Sequence, residues 1–156
     1  MKILMIKVNV IIKYDQWFKY IKSPKSYLKN KLKKIQEEKL FQKKKYNFSL
    51  LLTNETDIKK FNKKFRNKNK ATDVLSFPYQ NKKNLKKLIS EAKEIYLGDI
   101  IINYKKMDAS SNKSFKKKFN LMWIHGLLHL LGYDHIKDSH YKKMYEIEKK
   151  LLKKIN

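Results

Sequence analysis

The stretch that decides the fold of this chain is FKKKFNLMWIHGLLHLLGYDH, residues 115–135. Its pattern predicts an α-helix from Phe115 to Leu131, and from Leu121 onward that helix is apolar on nearly every side. A helix that is apolar all round is buried inside a protein rather than lying on its surface. We therefore expect this helix to be central, with the other elements packed around it.

Three of the four histidines of the chain lie in this stretch, at His125, His129 and His135. The four-residue spacing puts His125 and His129 on one helix face, about 40° apart around the axis and about 6 Å apart along it. Both imidazoles can therefore reach one metal ion. Gly132 lets the helix end in a left-handed turn, which allows the chain to bring His135 back to the same ion.

The spacing H-x3-H-x5-H predicts a catalytic metal site rather than a structural one. Three histidines leave a fourth coordination position for water or substrate. The spacing matches the zinc-protease signature H-E-x-x-H-x-x-G-x-x-H, except that Gly126 stands where the glutamate base belongs. A residue without a side chain cannot take a proton, which argues against peptide hydrolysis. His140, the fourth histidine, lies outside the spacing and is expected at the surface.

The rest of the chain predicts an α+β fold in which a mixed sheet of about four strands packs against helices, a zincin-like arrangement around the central helix. Strands are predicted at residues 3–12, 48–52, 73–77 and 95–102, and further helices at residues 24–41, 54–66 and 137–155. The expected apolar positions of the last helix are Tyr141, Met144, Tyr145, Ile147, Leu151 and Leu152. Residues 81–94 are polar with weak helical periodicity and are expected to form a mobile excursion. No repeat or linker divides the sequence, so we expect residues 1–156 to be a single domain.

The amino-acid composition further limits the possible classes of function. The chain has 156 residues, 39 Lys+Arg against 14 Asp+Glu, a formal charge of +25 and no cysteine. Disulfides, cysteine-ligated zinc and iron–sulfur clusters are thereby excluded. The charge suits a polyanionic partner, although an AT-rich coding background that favours Lys, Asn and Ile accounts for it equally well. No segment reaches the roughly 18 apolar residues of a membrane helix, and we expect a cytoplasmic protein without membrane association.

Arg66 is the only arginine among these basic residues. A guanidinium offers carboxylate or phosphate a planar pair of donors that a lysine ammonium cannot match. An arginine that persists against such an excess of lysine indicates that this geometry is used.

Three segments together resemble the YbeY family of bacterial rRNA-maturation endoribonucleases. They are FRNKNKATDVLSFP from Phe65, LGDI from Leu97 and HGLLHLLGYDH from His125, and they follow the order of the family. Ala71 departs from the family, which usually has proline there. The resemblance implies a single-strand-specific, metal-dependent endoribonuclease that matures the 3′ end of 16S rRNA and acts in ribosome quality control on the 30S subunit. It also implies one zinc ion per chain on the three histidines.

Individual residues have predicted roles as well, and for Arg66 the resemblance also implies an important arginine. Arg66 and His125 are the predicted catalytic residues, and Asp134 is expected to orient an imidazole from behind the metal ligands. Tyr79, Tyr96 and Tyr133 are candidates for stacking on unpaired bases, with core packing the safer prediction for Tyr96. The predicted RNA-binding residues are Lys63, Lys64, Arg66, Lys68 and Lys70.

Several alternatives remain open at this point. The basic residues fit a solvated face as well as an RNA path. A zinc metallopeptidase would require a carboxylate from elsewhere in the chain, and a ribosome-binding factor would use the metal only structurally. The general base is not assigned, because activated water and an RNA 2′-hydroxyl both suit a metal site of this kind.

Overall fold

The computed structural model describes residues 4–41 and 44–156. Ile3, the predicted start of the first strand, lies outside this range. The helices and strands, in chain order, are β1 (Ile6–Ile12), α1 (Pro24–Ile35), β2 (Lys45–Thr53), α2 (Glu55–Arg66), β3 (Val74–Pro78), α3 (Lys82–Glu91), β4 (Glu94–Asn103), α4 (Asn112–Leu130) and α5 (Asp138–Ile155). Two short 3-10 helices lie at Asp15–Lys19 and Tyr104–Lys106.

The four strands form one mixed sheet in the order β1-β2-β4-β3. Strands β1 and β4 both run parallel to β2, whereas the edge strand β3 runs antiparallel to β4. Parallel neighbours need long crossover connections, and the helices between the strands supply them. The predicted α+β class and the mixed four-stranded sheet are confirmed.

Helix α4 is the centre of the core, as its sequence predicts. It packs against β3, β4 and α5. Its Trp123, Leu127 and Leu128 are fully buried. The N-terminus is capped by Ser111, whose side chain accepts a hydrogen bond from the backbone N–H of Ser114. Burial of this helix on several sides fixes the position of the two histidines that it carries.

Gly126 marks a close approach between α4 and the sheet. A Cβ atom at this position would lie 2.8 Å from Cγ2 of Ile100 and 3.0 Å from Oγ of Ser76. Both distances are shorter than ordinary van der Waals contacts, so even alanine requires its neighbours to move. Gly126 packs directly against β3 and β4. This close packing leaves no room for the glutamate that a zinc protease has at the same position.

Three sequence predictions about the outer elements are wrong or incomplete. Residues 81–94 contain the regular helix α3, which Asn81 caps by accepting a hydrogen bond from the N–H of Asn84. Helix α1 ends at Ile35, before the predicted Phe41, because a turn follows and carries Phe41 into the core. Two expected apolar positions of α5, Tyr141 and Tyr145, are exposed. Among the described residues, no helix has the length and apolar character needed to span a membrane.

Candidate metal centre and active site

The three histidines singled out by their spacing come together at the end of α4. Their ring nitrogens that could serve as ligands all lie within 4.8 Å of one another. The Nε2 atoms of His125 and His129 are 3.1 Å apart. Two nitrogens bound to one ion at 2.0–2.1 Å in tetrahedral geometry are separated by roughly 3.3 Å, so this pair fits a single metal ion.

His135 reaches the cluster because the chain reverses at Gly132. Gly132 has a φ of +90°, a conformation that side-chain-bearing residues rarely adopt. The N–H of Gly132 donates to the carbonyl of His129 at 3.0 Å, and the N–H of Tyr133 donates to the carbonyl of Leu128 at 3.0 Å. These bonds close the end of the helix and turn His135 toward the other two imidazoles.

Hydrogen bonds at Nδ1 orient the rings of the two helical histidines. Nδ1–H of His125 donates to the Glu148 carboxylate at 2.8 Å, and Nδ1–H of His129 donates to the Tyr133 carbonyl at 2.9 Å. Each bond uses the ring nitrogen that points away from the cluster and leaves Nε2 as the ligand atom. Sequence reasoning missed Glu148, because no local pattern connects it with a histidine 23 positions earlier.

The electrostatics of His129 also suit a metal ligand. Burial lowers the pKa of His129, and the neighbouring His125 and, more weakly, Arg66 act in the same direction. A lowered pKa keeps the imidazole neutral at pH 7, which is the form that binds a metal. The donor set and its spacing therefore fit a divalent transition metal.

Asp134 lies against the fourth histidine rather than against the cluster. Its carboxylate accepts hydrogen bonds from Nδ1–H of His140 at 2.9 Å and from the backbone N–H of Ile136 at 3.2 Å. The hydrogen bond from His140 lowers the pKa of Asp134. The imidazole that Asp134 orients is thus that of His140, and Glu148 occupies the place behind His125. The Asp134–His140 pair joins the loop of His135 to the first turn of α5.

Arg66 ends α2 and reaches over the free edge of β3. Its guanidinium donates to the carbonyl of Ser76 at 2.7 Å and lies 5.4 Å from the centre of the Phe77 ring. The Ser76 hydroxyl in turn donates to the carbonyl of Gly126 at 3.2 Å, next to His125 in α4. The structure therefore places Arg66 at the open edge of the sheet, where its charge is near enough to His129 to lower the pKa of that histidine.

The other residues predicted to contact nucleic acid differ in their exposure. Tyr79 is exposed, whereas the Tyr96 hydroxyl is held by Ser49 at 2.9 Å and Asp99 at 2.6 Å, in keeping with a packing role. Tyr133 is half-buried. The lysines at the end of α2 and in the following loop are all exposed: Lys63, Lys64, Lys68 and Lys70.

A cleft of about 340 Å³ opens beside the three histidines. His125 and His135 form part of its wall. The other lining residues come from β3, α4 and α5 and include Val74, Met122, Tyr141, Tyr145 and Glu148. A substrate in this cleft would lie directly beside a metal held by the three imidazoles.

Comparisons with known proteins agree with this geometry. The family model described as Endoribonuclease YbeY matches residues 12–156. A protein named Endoribonuclease YbeY from Pelagibacter ubique is 47% identical over 147 residues, which is 92% of each chain. Its namesake from Ehrlichia canis is 36% identical over 157 residues, 97% of this chain and 93% of the relative.

A solved structure is similar as well. The solution structure of TM1509 from Thermotoga maritima aligns with a TM-score of 0.59 at 27% sequence identity. The alignment covers 96% of this chain and 88% of that protein. Sequence family, curated relatives and fold agree, and we conclude that this chain belongs to the endoribonuclease YbeY family.

Proposed function

We propose that this protein is a single-strand-specific, metal-dependent endoribonuclease that matures the 3′ end of 16S rRNA and takes part in ribosome biogenesis and quality control. Its partners on this proposal are rRNA and the 30S subunit in the cytoplasm, and residues 1–156 act as one catalytic domain. The observation that carries the proposal is the three-histidine cluster beside an open cleft, in a chain whose family is named for RNA cleavage.

The proposed cofactor is one zinc ion per chain, held by His125, His129 and His135. Neutral imidazole ligands suit zinc, and three of them leave a coordination position open. A metal bound there would supply Lewis-acid polarisation of a phosphoryl oxygen or activation of water. Glu148 and the Tyr133 carbonyl would keep two of the ligands in the required tautomer and orientation.

Arg66 is the proposed phosphate clamp. One N–H of its guanidinium donates to the Ser76 carbonyl. Because a guanidinium has five N–H donors, the others remain available for a phosphate. A fixed guanidinium can stabilise the additional negative charge that develops on the phosphoryl oxygens in the transition state. The exposed lysines at positions 63, 64, 68 and 70 would attract the RNA backbone on either side of this contact.

Two details of the site favour RNA cleavage over peptide hydrolysis. The carboxylate that a peptidase would need does exist in Glu148, but it is bonded to Nδ1 of His125, the ring nitrogen behind the ligand atom. At the position of the protease glutamate, Gly126 has no space for a side chain. A purely structural metal is disfavoured because the group of potential ligands found among the described residues consists of three histidines and no fourth side chain.

The test is cleavage of a single-stranded RNA by the zinc-loaded protein, compared with the same sequence annealed to its complement. We expect cleavage of the single strand alone, loss of cleavage with a chelator, and loss in His129→Ala purified in parallel. Glu146→Ala is the control, because Glu146 is an exposed residue of α5 and is not one of the potential ligands. Equal cleavage by His129→Ala and wild type would refute the proposal and point to a contaminating nuclease.

A further inference from the structure

Two tyrosines of α5 are exposed although the apolar pattern of the helix predicts burial. Tyr141 is 55% exposed and Tyr145 is 50% exposed. Their rings are nearly parallel, with an angle of 8° between the planes and centroids 6.0 Å apart. The two parallel rings, one helical turn apart along α5, form an apolar aromatic platform at the surface.

The platform forms a wall of the cleft at the metal centre. Tyr141 and Tyr145 line the same cavity of about 340 Å³ as the ligands His125 and His135. Glu148, which holds the His125 ring, follows Tyr145 on the same helix. The ring pair and the metal ligands are therefore fixed relative to one another by α5.

A planar aromatic ligand is the natural occupant of such a surface. The 6.0 Å between the rings is less than the roughly 6.8 Å needed to sandwich a base, since stacked bases lie about 3.4 Å apart. The tyrosines therefore act as one platform and stack a base on an exposed ring face. The exposed Lys142 and Lys143 come from the same turn of α5 and add positive charge to it, which suits a ligand that carries phosphates.

We propose that Tyr141 and Tyr145 form a stacking subsite for one unpaired nucleobase of the RNA, next to the phosphodiester bond that is cleaved. The inference rests on the proposed endoribonuclease function and adds a source of its strand selectivity. A base within a duplex has both faces covered by its neighbours, whereas an unpaired base can lie on the tyrosine rings.

The experiment combines two changes, one in the protein and one in the RNA. A short single-stranded RNA is prepared as a series in which one nucleotide at a time is abasic, and kcat/KM for cleavage is measured with the zinc-loaded protein. The variants are Tyr141→Ala/Tyr145→Ala and Tyr141→Phe/Tyr145→Phe. Phe18→Ala is the control, because Phe18 is 44% exposed but lies on the first 3-10 helix. Zinc content and circular dichroism verify that each variant retains its metal and fold.

For wild type, we expect one abasic position next to the cleaved bond to lower kcat/KM by about tenfold, the usual size of a single stacking contact. The double alanine variant should lose about the same factor on intact RNA and lose nothing more at that abasic position. The phenylalanine variant should recover most of the activity that the alanine variant loses, since stacking needs a ring and not a hydroxyl, and Phe18→Ala should behave as wild type. If the loss from the double alanine substitution and the loss from the abasic position simply add, the two changes act independently. That result would overturn the stacking subsite but not the proposed endoribonuclease function. No cleavage by wild type would overturn both proposals.

Discussion

Glu148 accepts a hydrogen bond from Nδ1–H of His125 at 2.8 Å, although the two residues are 23 positions apart. The bond connects the buried helix α4 with the last helix of the chain. Through it, α5 supports the three-histidine cluster as well as covering the core with Met144, Leu151 and Ile155. The same helix also holds the loop of His135 through the contact between His140 and Asp134.

Glu148→Gln should weaken zinc binding by about tenfold, because the charged acceptor that raises the basicity of His125 is lost. The affinity is measured by competition with a chromophoric chelator at constant pH. Glu146→Gln provides the control, since Glu146 is an exposed residue of the same helix. Unchanged zinc affinity in Glu148→Gln would show that the carboxylate does not support the ligand.

Arg66→Lys should lower kcat for RNA cleavage by about 100-fold, the usual cost of losing a donor to a developing oxyanion, and leave the zinc content unchanged. Lysine keeps the charge but cannot bond the Ser76 carbonyl and a phosphate with one planar group. Lys64→Ala removes a neighbouring charge and should have only a small effect on kcat. Full activity of Arg66→Lys would mean that any positive charge is sufficient at this position.

Gly126→Ala should destabilise the protein by about 1–2 kcal/mol, as judged from urea unfolding. The strain of an overpacked core outweighs the better helix propensity of alanine. The added methyl group would meet Ile100 and Ser76 at 3.0 Å or less. Ile100→Val in the same background removes one of the crowding methyl groups and should recover part of the loss. A stability gain in Gly126→Ala would mean that α4 and the sheet are packed less tightly than described.

Glu38 is expected to make folding stability depend on acid pH. Hydrogen bonds from Lys150 and Lys154 lower the pKa of this carboxyl group, whose side chain is only 11% exposed. A carboxyl group with a lowered pKa stabilises the folded state above its ordinary pKa, and this contribution disappears as the pH falls through the folded-state value. In Glu38→Gln, unfolding by urea should become easier by about 1 kcal/mol at pH 7 and should vary less with pH below 5. A wild-type pH profile that the substitution leaves unchanged would contradict this role.

The parts of the protein that could be predicted from sequence are those determined by local spacing. The apolar run of α4, the four-residue separation of His125 and His129 and the glycine before His135 are all contained in one stretch. Their combination specifies a buried helix, a reversal and a cluster of three histidines, because each follows from the apolar pattern or from helix geometry.

The parts that could not be predicted depend on contacts between distant segments. The carboxylate of Glu148 reaches His125 only after α5 packs on α4. The polar residues 82–91 form a helix because Asn81 caps it and Leu85 is buried in the core. Tyr141 and Tyr145 share the apolar side of α5 in the sequence pattern, but α5 extends past the edge of the core where the cleft begins.

The most direct test of the account is a titration of metal-free protein with zinc, in which the rate of single-stranded RNA cleavage is recorded against added zinc. Cleavage should be absent without metal, rise in proportion to zinc and stop rising at one equivalent per chain. Cleavage at the full rate before any zinc is added would contradict a metal centre built from His125, His129 and His135 as the source of the activity.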